Sequence, residues 1–313
     1  MTDHPELGGP ALDRLREICE QPEFVDARYS LGPELGRGGM GVVYEVFDTE
    51  LNRHVALKVV PAWESSDTLA LERVQQEART LAALEHPGIV PVHEVGRLAD
   101  GRVFYTMRLV RGERLGRRRP DGTERSIPEI LRLVARICET VEFAHAQGVI
   151  HRDLKPENVM LGPFGEVMVL DWGIARQPAG NAGARESELR IGTREYMAPE
   201  LLEGGSGEVD ARGDVYAIGC VLRSLLRAGE KPTARPLLSI IAKATAPARG
   251  LRYQTASALG SDLLHFVDGL PVAAHRESWG ERGVRLLRRH QLLIGLIATY
   301  ILMRIALFFA LAR

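Results

Sequence analysis

The hydrophobic pattern of this chain changes period once, and that change limits the fold more than any other feature. From Tyr29 to Val110 the apolar residues fall in short β-type runs, at Leu31–Leu35, Val42–Phe47, His54–Val60, Ile89–Val95 and Val103–Val110, separated by glycine-rich or polar turns. A single helical pattern, Asp67–Leu84, interrupts them and stops before His86-Pro87-Gly88. After a polar stretch at Arg114–Ser126 the period becomes helical, at Pro128–Gln147, Asp214–Arg227, Pro236–Ala246 and Thr255–Val267. Strands gathered first and helices after imply an α+β chain of two lobes, an antiparallel sheet lobe over 29–110 and a mostly helical lobe over 111–268. Residues 1–28, with one short helical pattern at Leu12, Leu15, Ile18 and Cys19, read as a tail.

Bulk properties narrow the function. A chain of 313 residues with 45% hydrophobic and 26% charged residues has an ordinary globular composition. Its net charge of −1 gives no electrostatic reason to expect nucleic acid as a partner. Cys19, Cys138 and Cys220 stand too far apart for a metal or redox motif, and residues 1–28 contain no apolar core of a signal peptide. Of 40 basic residues only Lys58, Lys155, Lys231 and Lys243 are lysine. A position that stays lysine against that bias suits a compact ammonium that reaches one oxygen, where arginine offers a planar fork.

Three motifs handle phosphate. Gly36-Arg-Gly-Gly-Met-Gly41 is followed by an apparent strand, Val42–Phe47, so its glycines sit in a hairpin. A tip with few side chains can lie over a triphosphate and offer backbone N–H groups. Val55-Ala-Leu-Lys58 places a lysine in the next strand, where it needs an anionic partner because an unpaired buried charge is costly. Glu77, 19 positions on in the following helix, is one candidate partner, and a solvated role is its alternative. His151-Arg-Asp-Leu-Lys-Pro-Glu-Asn158 then supplies Asp153 to accept a hydroxyl proton, Lys155 to neutralise a transferring phosphoryl group and Asn158 to offer an amide oxygen to Mg2+. Asp171-Trp-Gly173 follows the apolar run Val167–Leu170 and contributes a second, charged metal ligand. Phosphoryl transfer is largely positioning and charge stabilisation, for which these groups suffice.

In this order along residues 29–268, these motifs resemble the eukaryotic-type serine/threonine protein kinases of bacteria. The resemblance extends to Ala198-Pro-Glu200 and to Asp214-Val-Tyr-Ala-Ile-Gly219, which looks like the buried helix whose aspartate braces the catalytic loop. It implies a bilobal kinase-like fold. It also implies ATP with Mg2+, or with Mn2+ in its place, and protein substrates bearing serine or threonine. ATP would lie among Leu35, Gly36, Gly38, Gly39, Gly41, Val43, Ala56, Lys58, Met107 as gatekeeper, and the Arg108–Val110 backbone. Lys58, Glu77, Asp153 and Lys155 would be catalytic, and Asn158 and Asp171 would hold metal. Thr193 would hydrogen-bond the Asp153–Lys155 pair. Arg252 would brace Glu200, and His151 and Trp172 would pack in the hydrophobic spine. Ser187 is the one hydroxyl between Asp171 and Thr193, hence the candidate for autophosphorylation, with Arg152 positioned to receive the phosphate.

The sequence departs from that family in two places. Tryptophan replaces the usual phenylalanine at 172, keeping an aromatic plug and adding an N–H. Only Arg227–Arg235 separates two C-terminal helices where the family inserts a longer loop and a docking helix, so an ATP-binding scaffold with weak catalysis is the alternative reading. Beyond a basic linker over 269–291, Leu292–Ala312 is apolar except for Thr299, Tyr300 and Arg304. At a rise of about 1.5 Å per residue a helix there spans roughly 31 Å, enough to cross a bilayer core. Arg282, Arg285, Arg288 and Arg289 ahead of it predict a single-pass anchor in a bacterial inner membrane, with the kinase on the cytoplasmic side and lipid and a second copy as further partners; a helix lying on the membrane surface or docked on the kinase is the alternative.

Overall fold

The computed structural model describes residues 22–25, 27–38, 41–60, 79, 81–117, 122–172, 194–202, 210–227, 234–280, 282–283, 295–297 and 299–304. The chain divides into two compact units, residues 1–117 with 143–194 and residues 118–142 with 195–313.

The first unit holds a five-stranded antiparallel sheet of β1 (Tyr29–Gly38), β2 (Gly41–Asp48), β3 (Arg53–Val59), β4 (Val92–Arg97) and β5 (Val103–Arg108), in the order β1-β2-β3-β5-β4. Register assigns its faces. Tyr44, Val46, Val55, Leu57, Val59 and Phe104 pack with Tyr29 and Leu98 into one buried cluster. The alternate residues Val43, Ala56, Lys58, Tyr105 and Met107 share the other face, because Val43 pairs with Lys58, Lys58 with Tyr105 and Ala56 with Met107. The strand expected at Ile89–Val95 begins instead at Val92, since Pro91 lacks an N–H for a ladder; its carbonyl accepts from Arg108 N–H. Residues before Tyr29 are not a free tail from Pro22 on. Pro22 is buried, Glu23 O accepts from Ala99 N–H, and the Phe24 ring stacks edge-on to Phe104 at 6.0 Å. A small sheet of β6 (Glu113–Arg114), β7 (Val159–Leu161) and β8 (Val167–Val169) completes the unit, tied to residue 88 by Val169 N–H to Gly88 O, 2.8 Å.

The helical elements are α1 (Ile127–Ala146), α2 (Pro199–Leu202), α3 (Arg212–Arg227), α4 (Arg235–Ala244) and α5 (Ala256–Val267). In the second unit the apolar stripe of α1, with Leu131, Val134, Ile137, Cys138 and Val141, is fully buried, as its 3.6-residue spacing requires. Gly260 of α5 lies against Cys138, where a methyl group would approach its Cβ to 3.0 Å. Helix α3 runs to Arg227 and α4 starts at Arg235; residues 228–233, in the abbreviated connection read from the sequence, lie outside the described residues. At the other end, residues 295–297 and 299–304 are helical, with Leu296, Ile297, Ile301, Leu302 and Met303 all 50–69% exposed. Among the described residues no helix is long and apolar enough to cross a membrane.

Candidate active site

The chemistry gathers on the first unit. Lys58 projects from β3 on the face shared with Val43 and Tyr105; its side chain is 7% exposed, and Nζ donates to Asp171 Oδ1 at 2.6 Å. Burial, the largest influence on Lys58, lowers its pKa, yet Tyr105 and Asp171 outweigh it and raise the net value, so the ammonium stays charged. For Asp171 burial works upward, and the charge and hydrogen bond of Lys58 carry the carboxyl below its ordinary range. The lysine therefore takes its counter-charge from a residue 113 positions away. Glu77, the partner read from the sequence, lies outside the described residues, as do Gly39, Ser187 and Thr193.

Between β6 and β8 the catalytic loop is held by its own polar groups. His151 is fully buried; Nδ1 accepts from Asp153 N–H at 3.3 Å, so the tautomer assigned here has Nε2–H donating to Leu170 O at 2.9 Å. Lys155 Nζ donates to Asp153 Oδ2 at 2.9 Å. Asn158 Nδ2 donates to Asp153 O at 2.8 Å, and Leu170 N–H donates to Asn158 O at 2.7 Å, which brings the end of the loop beside Asp171. The other Asp153 oxygen, Oδ1, is buried with no partner among the described residues. Arg152 and Asp171 adopt left-handed backbone, φ 68° and 53°, a costly conformation for such residues that tends to mark working sites.

Trp172 explains its own substitution. Its ring packs 4.9 Å from that of His151, as expected, and its indole N–H donates to Val169 O at 3.1 Å, a bond phenylalanine cannot make.

The residues expected around a nucleotide separate into three groups. Val43, Ala56 and Met107 share the Lys58 face. Leu35, Gly36, Gly38 and Gly41 belong to the β1–β2 hairpin, where Gly36 pairs with Val43 and a methyl group on Gly38 would meet nothing within 4 Å. Past β5, Arg108 N–H is already donated to Pro91 O, whereas the N–H groups of Leu109 and Val110 make no bond among the described residues. For a divalent cation, Asn158 spends its amide nitrogen on Asp153 and keeps its oxygen, and Asp171 keeps Oδ2. Two protein oxygens suit Mg2+, which retains water and takes phosphate oxygens for the rest. No cluster of three or more metal-ligating side chains occurs among the described residues.

The sequence profile of the protein kinase domain matches residues 29–270. The chain belongs to the protein kinase family. A Streptomyces coelicolor protein named as a probable serine/threonine-protein kinase, SCO3848, is 35% identical over 286 residues, covering 82% of this chain and 42% of itself. The serine/threonine-protein kinase PknB of Mycobacterium tuberculosis is 35% identical over 285 residues, covering 81% and 45%. The chain thus spans less than half the length of the curated relatives it matches. The crystal structure of the M. tuberculosis PknI kinase domain superposes with a TM-score of 0.61 at 27% identity, covering 78% of this chain and 98% of that one. Family membership agrees with the second unit as well. Arg252, with its side chain fully buried, grips Glu200 with both terminal nitrogens at 2.8 and 2.7 Å, the structural brace read from the sequence.

Proposed function

We propose that the chain is a serine/threonine protein kinase that transfers the γ-phosphoryl group of ATP to a serine or threonine hydroxyl of a protein. The buried Oδ1 of Asp153, without a partner among the described residues, carries this reading, since an orphaned buried carboxylate oxygen is costly unless a substrate proton meets it. In the proposed reaction the hydroxyl gives its proton to Asp153 Oδ1 and its oxygen attacks the γ-phosphorus as the bond from that phosphorus to the β,γ-bridging oxygen breaks and ADP leaves, while Lys155, held on Oδ2, faces the charge developing on the phosphoryl oxygens. Lys58 holds the α- and β-phosphates, with Asp171 keeping it charged and in place. Mg2+, or Mn2+ in its stead, supplies further neutralisation of the phosphates when held by Asn158 and Asp171. Relatives named as serine/threonine kinases support the choice of hydroxyl. An ATP-binding scaffold without catalysis is disfavoured, because it has no need for Lys58, Asp153, Lys155, Asn158 and Asp171 together. Incubating the chain with γ-labelled ATP and a serine peptide, then identifying the phosphoamino acid, tests the reading; label on tyrosine, or none despite bound ATP, refutes it.

The same proposal extends to regulation and location. Ser187 is the proposed autophosphorylation site, and Thr193 the hydroxyl that contacts Asp153 and Lys155. Leu292–Ala312 is proposed as a single-pass anchor in the inner membrane, with the kinase on the cytoplasmic side where Arg282, Arg285, Arg288 and Arg289 favour it. The exposed apolar side chains Leu296, Ile301 and Leu302 support the reading because they need a cover other than water. Release of the full chain into the soluble fraction by alkaline carbonate would remove the anchor.

A further inference from the structure

The segment that leaves β5 is unusually basic. Residues 108–119, RLVRGERLGRRR, contain six arginines against one glutamate, in a chain whose net charge is −1. Arg108, Arg111, Arg114 and Arg117 are all exposed. None of these four guanidiniums forms an ion pair or hydrogen bond with a described residue, whereas Arg28, Arg37 and Arg102 in the same unit each hold a carboxylate. Like charges at this spacing repel one another, so the arrangement gains nothing for folding.

The rim is anchored to the reacting groups. Arg114 pairs in register with Met160 of β7, two residues past Asn158, and Leu115 N–H donates to Val159 O at 2.9 Å. A methyl group on Gly116 would lie 3.0 Å from Pro156 Cβ of the catalytic loop, and one on Gly36 of the glycine-rich hairpin would lie 3.5 Å from Arg114 Nη2. The positive stripe therefore starts between the hairpin and the catalytic loop and continues outward along the chain to Arg117. A nucleotide at the hairpin could engage Arg114 alone; a row of four guanidiniums without a partner among the described residues fits an extended ligand with several negative charges.

We propose that this rim selects protein substrates whose phosphoacceptor serine or threonine is flanked by aspartate and glutamate. The inference rests on the kinase reading and names its substrate class. Exposed pairs contribute little singly, so discrimination comes from several acting together, and it fades as added salt screens them.

Matched decapeptides with one serine flanked by acidic, alanine or arginine residues provide the test, first as fluorescent ligands of the ATP-free chain and then as substrates. The acidic peptide is expected to bind about tenfold more tightly than the alanine one at low salt, with kcat/KM in the same ratio. Replacing Arg111, Arg114 and Arg117 together by glutamate should invert the order toward the arginine peptide, and replacing all three by lysine should preserve it. Acidic peptide that binds but is never phosphorylated supports the rim and counts against the kinase reading. Equal binding of the three peptides overturns the inference. So does a charge reversal that alters only KM for ATP, or only retention on vesicles containing phosphatidylserine.

Discussion

Replacing Arg252 by lysine keeps the charge and removes the fork, which isolates the contribution of geometry. In the second unit Arg252 Nε donates to Ala246 O at 2.7 Å, and Nη1 donates to Glu200 Oε1 at 2.8 Å and to Arg212 O at 3.2 Å. Nη2 donates to Glu200 Oε2 at 2.7 Å and to Pro247 O at 2.9 Å, and the guanidinium lies 4.9 Å from the Tyr216 ring centroid. A lysine ammonium has three protons at one point, so it can serve Glu200 and at most two of the carbonyls. At least two acceptors lose their donor, at roughly 1–2 kcal/mol each in a buried site, which gives a loss of about 2–4 kcal/mol. Arg252→Ala removes all of these bonds and leaves Glu200 with Arg249, whose Nε lies 3.1 Å from Oε1, so it should cost about 3–5 kcal/mol. At about 2–4 °C per kcal/mol for a domain of this size, the lysine variant should melt roughly 4–16 °C lower by near-UV circular dichroism. Replacing the exposed Asp100, which pairs with Arg102 at 2.6 Å, by asparagine serves as the control and should cost no more than about 1 kcal/mol. If Arg252→Lys melted with the control, the bidentate brace would not be what holds Glu200 in place.

Three further outcomes follow from the same geometry. Lys58→Met leaves Asp171 without its cation and should lower kcat/KM for ATP by about 100-fold or more in steady-state assays, an effect of about 3 kcal/mol. Gly112→Ala drives a methyl group to 2.1 Å from Leu161 O and should destabilise the β6–β7 pairing by more than about 2 kcal/mol in urea titrations, while Gly101→Ala, with open space around it, should cost only about 1 kcal/mol. Burial, the largest influence on Glu200, pushes its carboxyl upward, but its hydrogen bond from Arg252 prevails and holds it below the ordinary range. A depressed acid adds stability that is present above its unfolded value of about 4.3 and is lost as pH falls through the folded value, so Glu200→Gln should cost more at pH 7 than at pH 3 in paired denaturation curves.

Much of this was legible because local chemistry and fold agree. Strands β2, β3 and β5 announce themselves by β-type runs bounded by turns, and α1 by a buried stripe with Pro128 in its first turn. The Glu200–Arg252 brace could be read because both residues lie in recognisable motifs. Other features were hidden for physical reasons. Strands β6 and β7 are two and three residues long, too short to carry a period. The packing of Phe24 depends on ring contacts with Tyr29 and Phe104, which no spacing encodes. The Lys58–Asp171 bond joins β3 to the end of β8, and no sequence rule prefers Asp171 over Glu77 for that lysine. The arginine rim was visible as charge, but only the structure shows that no carboxylate among the described residues answers it.

The central claim is that Asp153 takes the proton of an attacking hydroxyl, and Asp153→Asn tests it most directly. The substitution keeps size and removes the accepting charge, so phosphoryl transfer to peptide should fall by about 100- to 10,000-fold while ATP affinity changes by less than about twofold. Transfer near the wild-type rate, with ATP binding intact, would contradict the account.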